Sequence, residues 1–92
     1  MTSDQPEHYQ DEVTAGPGGA MTDEVGVITG DLTVATAQRP DGTAEVRVQY
    51  ARAAEWYTLT GSPCPVPPDG LKALHQAVLG AIRAGGGAQA PG

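Results

Sequence analysis

One strong turn flanked by alternating apolar residues constrains this chain more than any other feature of its sequence. The turn is Arg39-Pro40-Asp41-Gly42-Thr43, in which Pro presets φ, Asp accepts backbone hydrogen bonds and Gly tolerates positive φ. Side chains alternate between the two faces of a strand, so counting outward from the turn sorts them by face. The residues that come to lie opposite each other on one face are Thr36 and Val46, Val34 and Val48, and Leu32 and Tyr50.

Segments on either side of this hairpin extend its apolar face. A turn at Thr29-Gly30 is expected to place Val25 opposite Val34 and Val27 opposite Leu32. A short loop at 52–55 is expected to place Tyr57 opposite Tyr50 and Leu59 opposite Val48. The sequence therefore predicts a four-stranded antiparallel β-meander, with strands at about 24–28, 31–39, 43–51 and 55–60.

A helix is predicted at about 69–83, after the proline-rich crossover that follows Gly61. Pro68 or Asp69 can open it, and Gly85 is a natural stop. Its apolar residues recur at helical spacing. They are Leu71, Leu74, Val78, Leu79 and Ile82. Packing of this stripe on the apolar sheet face gives an α+β fold.

The charge of the chain is unevenly distributed. The net charge is -6, and six acidic residues lie within 1–24, where there is no Lys or Arg. Because this leader also lacks apolar periodicity, we predict that residues 1–24 are disordered. Residues 25–84 then form a single small domain without net charge, and residues 85–92 form a flexible Gly/Ala/Pro tail.

The sequence contains no arrangement of residues that is typical of catalysis. His8 lies in the acidic leader, and His75 lies among the apolar residues of the predicted helix without a second ligand at metal-binding spacing. Cys64 stands between two prolines, and no nucleotide-binding glycine motif follows a strand. We therefore expect no enzyme, no catalytic residue, no cofactor and no metal.

The second, polar face of the predicted sheet is the candidate binding surface. It carries one exposed or half-exposed tryptophan beside arginine, glutamine and threonine, a composition typical of interaction hot spots. An alternative is that Trp56 is buried under the crossover or in a dimer interface. The nominated residues are Trp56, Arg47, Gln49 and Thr58.

These features favour a non-catalytic regulatory or interaction module that forms a homodimer or binds a protein partner through a sheet edge or the Trp56 face. One alternative is single-stranded nucleic-acid binding, with bases on Trp56 and phosphates on Arg39, Arg47 and Arg52. Four antiparallel strands followed by one helix resemble the positive-cofactor type of transcriptional coactivator, which implies binding of single strands by a dimer. Another alternative is an acidic antidote that inhibits a basic partner.

Membrane insertion is not expected, because no run of about 18 apolar residues occurs. The N-terminal segment lacks the basic start and apolar run of a secretory signal, and the single Cys64 cannot form an internal disulfide. We therefore expect a cytoplasmic location.

Overall fold

The computed structural model describes residues 7–91, which form an antiparallel β-sheet and one C-terminal helix. The predicted α+β class is confirmed. The elements are β1 (His8–Thr14), β2 (Ala20–Thr22), β3 (Gly26–Ile28), β4 (Asp31–Gln38), β5 (Thr43–Tyr50), β6 (Tyr57–Thr58), β7 (Cys64–Pro65) and α1 (Leu71–Ala84). The main sheet has the order β1-β4-β5-β6, and β7 also pairs with β5, while β2 and β3 form a separate hairpin.

The hairpin of β4 and β5 has the predicted register, with Val34 opposite Val48 and Leu32 opposite Tyr50. Its turn is held by the Asp41 carboxylate, which accepts hydrogen bonds from the backbone N–H and the hydroxyl of Thr43. Gly42 has φ of 87°, a conformation that favours glycine. The turn residues therefore predict the register of this strand pair correctly.

The predicted apolar stripe of α1 is buried along its full length. The helix begins at Leu71, two residues after the predicted start, because Pro67 and Gly70 close a turn first. It ends before Gly85, whose φ is 83°. The helix packs on β1 and β4, where it covers the face that carries Leu32 and Val34.

The prediction of a disordered leader is wrong for residues 8–24, and residues 1–6 lie outside the described residues. Strand β1 pairs with β4 over seven residues, from His8 opposite Ala37 to Thr14 opposite Asp31. This ladder satisfies more backbone groups than the short 24–28 segment could. The alternation was obscured because Asp11, an acid, occupies a helix-facing position between Tyr9 and Val13.

The predicted strand at 24–28 does not lie beside β4. Its residues Gly26–Ile28 pair with β2, and a bridge between Thr22 and Leu59 connects that hairpin to the end of β6. Val25 and Val27, which were expected in the core, are 53% and 47% exposed, whereas Ile28 is buried. Because β1 occupies the edge of β4, this segment has no free edge of β4 with which to pair.

The pairing of β5 with β6 differs from the prediction by two residues. Val48 lies opposite Tyr57 instead of Leu59, and Arg47 lies opposite Thr58. A shift of two keeps every side chain on its predicted face. Leu59 is therefore still buried, and its backbone N–H donates to Val46 O at 3.1 Å.

The predicted flexible tail is also ordered within the described residues, through a seam between two glycine-rich segments, 16–19 and 85–88. The N–H groups of Gly86, Gly87 and Ala88 donate to the carbonyls of Pro17, Gly18 and Gly19. A Cβ on Gly16 would lie 2.3 Å from the Arg83 carbonyl oxygen. The glycines here permit close backbone packing, so composition alone misidentified them as linkers.

Candidate interaction surfaces

The face of the sheet opposite α1 contains the nominated residues, and we call it the open face. Arg47 and Thr58 are direct cross-strand neighbours, and Gln49 lies two residues from Arg47 on the same side of β5. Trp56 is half-buried and immediately precedes β6. Continuation of the β5–β6 register places it opposite Gln49, so one end of the open face carries all four residues.

Two of these side chains already have partners within the sheet region. Arg47 donates to Glu45 at 3.0 Å, and Gln49 Nε2 donates to the Ala53 carbonyl at 3.0 Å. The Arg47 and Glu45 side chains are 52% and 37% exposed, so this ion pair contributes little to stability. The side chains of Arg47 and Gln49 can both exchange these contacts for hydrogen bonds to a binding partner.

Thr58 is held more firmly, by an acid of the β2–β3 turn. Its hydroxyl and its backbone N–H each donate to the Glu24 carboxylate at 2.7 Å. The Thr58 hydroxyl lowers the pKa of Glu24 most, followed by the backbone bond, with a smaller contribution from the charge of Arg47. Thr58 therefore joins the β2–β3 hairpin to β6. Its hydroxyl and N–H are less available to a binding partner than the sequence predicted.

Small side chains occupy the middle of the open face. Thr33 is buried, and Ala35 and Ala37 are half-buried on β4 between longer side chains on β1 and β5. The exposed side chains around them include Gln10 and Glu12 of β1 and Arg47 of β5. The face is consequently flat at its centre, with both charge signs around it.

The outer edge of β1 is a second candidate surface, which sequence reasoning missed. The Gln38 N–H donates to Glu7 O, and the Ala15 N–H donates to Gly30 O, both at 2.9 Å. Because antiparallel ladders alternate, the odd-numbered residues of β1 direct their backbone groups to β4. The even-numbered residues direct theirs to the edge. Among the described residues, no other strand pairs with this edge.

A buried histidine joins β1 to the helix and the central strand. His75 is 0% exposed; its Nδ1 lies 2.8 Å from Thr36 Oγ1, and its Nε2 lies 2.7 Å from Asp11 Oδ2. Neutral His75 satisfies both contacts if Nε2–H donates to Asp11 and Nδ1 accepts from the Thr36 hydroxyl. The Tyr9 ring stacks on His75 with centroids 5.6 Å apart. The hydrogen bond of Tyr9 to Glu7 raises the pKa of that tyrosine.

The row of Thr36, His75 and Asp11 has the atom types of a catalytic triad but not its accessibility. Thr36 is 0% exposed in the middle of β4, so no substrate carbonyl can reach its hydroxyl. Cys64 is also buried, and burial raises the pKa of its thiol, opposite to the shift that activates a nucleophile. In the described part of the chain, no three His, Cys, Asp or Glu residues form a group that could hold a metal ion.

Two open depressions accompany these surfaces. One, of about 320 Å³, lies at the β1–helix end and is lined by Glu12, Val13, Thr14, Asp31 and Arg83. The other, of about 250 Å³, is apolar and is lined by Pro65, Pro67, Leu74 and Pro91. Neither contains a buried polar side chain directed into it, so neither has the features of a small-molecule site.

No family model, no curated protein and no solved structure matches this chain. Among residues 7–91, no helix has the length and apolar content needed to cross a membrane.

Proposed function

We propose that this protein is a non-catalytic interaction module that self-associates as a homodimer through the open face of its sheet. The observation that supports this proposal is the composition of that face. Small side chains at its centre allow a second sheet to approach, while half-buried Trp56 at one end supplies a contact of large area.

Self-association is favoured over an unrelated partner by the charges of the open face. In a two-fold interface, the same patch contributes to both sides. Arg47 and the acids Glu45 and Glu12 are all on this face, so two copies can place opposite charges against each other. A face with a single charge sign could not do this.

The alternatives from sequence analysis gain less support from the described contacts. A single-stranded nucleic acid on the open face would bring its phosphates near Glu45 and Glu12, which are acidic. An inhibitor that presents a disordered acidic arm does not agree with the pairing of β1 over seven residues. The proposal includes a regulatory role in the cytoplasm, which agrees with the free thiol of Cys64.

Light scattering tests this proposal. We expect a mass of twice the 9.4 kDa of one chain. Ala35→Arg places a long charged side chain at the centre of the open face and should yield a folded monomer. Trp56→Ala should weaken the dimer more than Arg39→Ala or Lys72→Ala. A monomeric wild-type protein at concentrations of about 100 μM, or a dimer unaffected by Ala35→Arg, would contradict the proposal.

A further inference from the structure

We propose that the edge of β1 over residues 10–14, where no strand of the described residues pairs, binds an extended, positively charged segment of another protein, which adds to the sheet as a further strand. This inference deepens the proposed function and rests on it, because it takes the chain to be an interaction module. It assigns the β1 edge a partner chemistry different from that of the open face. Strand addition at an exposed sheet edge is a known mode of peptide recognition.

Alternate residues of β1 have different roles: one set hydrogen-bonds to β4, and the other set is available to an added strand. Tyr9, Asp11 and Val13 direct their backbone groups to β4 and their side chains towards the helix. Gln10, Glu12 and Thr14 direct their backbone groups to the edge and their side chains to the open face or its rim. An incoming strand therefore meets a row of backbone donors and acceptors without displacing any contact of β4.

The side chains along this edge determine the charge of the partner. Glu7, Asp11 and Glu12 are all exposed, and no Lys or Arg occurs in residues 1–24. Asp11 lies on the helix side of the strand and Glu12 on the open-face side. An added strand with Lys or Arg at successive positions places cations on both sides, so each can face an acid. Arg83 of the helix is the cation that lies near Glu12, across the depression at this end.

A second copy of this chain is a poor occupant of the same edge. Antiparallel pairing of β1 with another β1 would bring Asp11 and Glu12 of one copy beside the same acids of the other. Like charges opposite each other across strands are destabilising. The β1 edge therefore selects a basic partner, whereas the open face, with both signs, suits self-association.

The strand is anchored well enough to act as a template. The Asp11 carboxylate lies 2.7 Å from His75 Nε2, Tyr9 stacks on the same ring, and Val13 is only 6% exposed. A partner that adds to this edge meets an ordered strand and avoids the entropy cost of ordering it.

The test uses a fluorescent peptide of repeated Arg-Arg-Val-Val, which places Arg on both sides of an extended strand, with anisotropy as the readout of binding. The matched pair of variants is Gln10→Pro and Gln10→Ala. Proline removes an edge-directed N–H that makes no bond to β4, and proline is tolerated at such edge positions. We expect Gln10→Ala to bind like the wild type and Gln10→Pro to bind at least about tenfold more weakly. Circular dichroism verifies that both variants are folded.

A second measurement keeps the test valid if Gln10→Pro fails to fold. The same peptide, N-methylated at alternate residues, keeps its charge but loses ladder donors, and it should bind the wild type at least about tenfold more weakly. Equal binding of both peptides, or of both folded Gln10 variants, would overturn strand addition. Equal binding of a peptide of repeated Glu-Glu-Val-Val would overturn the charge assignment.

Light scattering on the same samples separates this inference from the homodimer proposal. Loss of peptide binding in a Gln10→Pro protein that is still dimeric supports the edge inference independently of the open face. Peptide binding by a monomeric wild type would remove the homodimer and leave the edge inference standing. A dimer that does not bind the basic peptide would overturn the edge inference alone.

Discussion

The central strand β4 pairs with β5 on one side and with β1 on the other, and the two pairings are specified in different ways. The β4–β5 pair is closed by a short turn in which Asp41 binds Thr43. The β1–β4 pair has no such turn, because the β2–β3 hairpin lies between its strands. Its register depends instead on distant contacts, chiefly Asp11 with His75, which are 64 positions apart in the sequence.

This difference implies an order of stability. The hairpin of β4 and β5 is closed by its own turn, whereas the position of β1 also depends on contacts with α1 and on the glycine seam. Segments that depend on a few distant contacts open at lower free energy than the core. We therefore expect β1 to detach in a step that leaves β4–β5 intact.

The largest loss of stability is expected from a substitution in the core that both strand pairs share. Val48→Asp buries an unpaired carboxylate at a site that is 0% exposed, and the domain should unfold. Its matched control, Val27→Asp, changes a valine that is 47% exposed and should alter stability by less than about 0.5 kcal/mol. Urea unfolding monitored by circular dichroism compares the two. A folded Val48→Asp variant would contradict the register of the hairpin.

The glycine seam should be the next most sensitive feature. Gly16→Ala places a Cβ against the Arg83 carbonyl, and because a backbone atom cannot move aside freely, we expect a cost of about 1–3 kcal/mol. Gly80 lies within α1 at an exposed position where an added Cβ meets no neighbour. Gly80→Ala should instead stabilise the protein by about 0.5–1 kcal/mol. Thermal unfolding of both variants measures this contrast. Equal effects would show that the seam is not formed.

Removal of the Asp11 carboxylate should affect β1 while sparing the hairpin. Asp11→Ala leaves buried His75 without a partner at Nε2, at a cost of about 1–3 kcal/mol. Glu12→Ala removes an equal charge from the neighbouring position on the opposite side of the strand and should cost less than about 0.5 kcal/mol. Hydrogen exchange should then be faster in β1 of the Asp11 variant and unchanged in β4–β5. Faster exchange in both β1 and the β4–β5 hairpin would show that these two regions do not open separately.

Acid should weaken the bond between Glu24 and Thr58. The Thr58 hydroxyl and backbone N–H lower the pKa of Glu24 below its ordinary value of 4.5. The stabilisation is complete at pH values above 4.5 and is lost as the pH falls through the folded pKa. Glu24→Gln should therefore make the melting temperature less dependent on pH between about 5 and 3. An unchanged profile would show that this contact contributes nothing.

The parts of the fold that could be predicted from sequence are those specified by nearby residues. Proline, aspartate and glycine in one turn determined the β4–β5 register, and the spacing of Leu71, Leu74 and Val78 determined the helix. Strand β1 was missed because Asp11 occupies a helix-facing position, where its carboxylate contacts His75, a residue 64 positions away. The two candidate surfaces differ in the same way. The residues of the open face could be predicted because side chains alternate between the two faces of a strand, whereas the β1 edge depends on the pairing of β1 with β4, which no short turn joins.

The central claim is that β1 is an ordered edge strand whose odd-numbered residues bond to β4, while Gln10, Glu12 and Thr14 face an edge with which no described strand pairs. Amide hydrogen exchange in the wild type tests this claim most directly. We expect the amides of Tyr9, Asp11 and Val13 to be protected, and those of Gln10, Glu12 and Thr14 to exchange rapidly. The rapidly exchanging amides should become protected when the basic peptide is added. Uniformly rapid exchange from residue 8 to residue 14 would contradict the account, because it would mean that the leader is disordered.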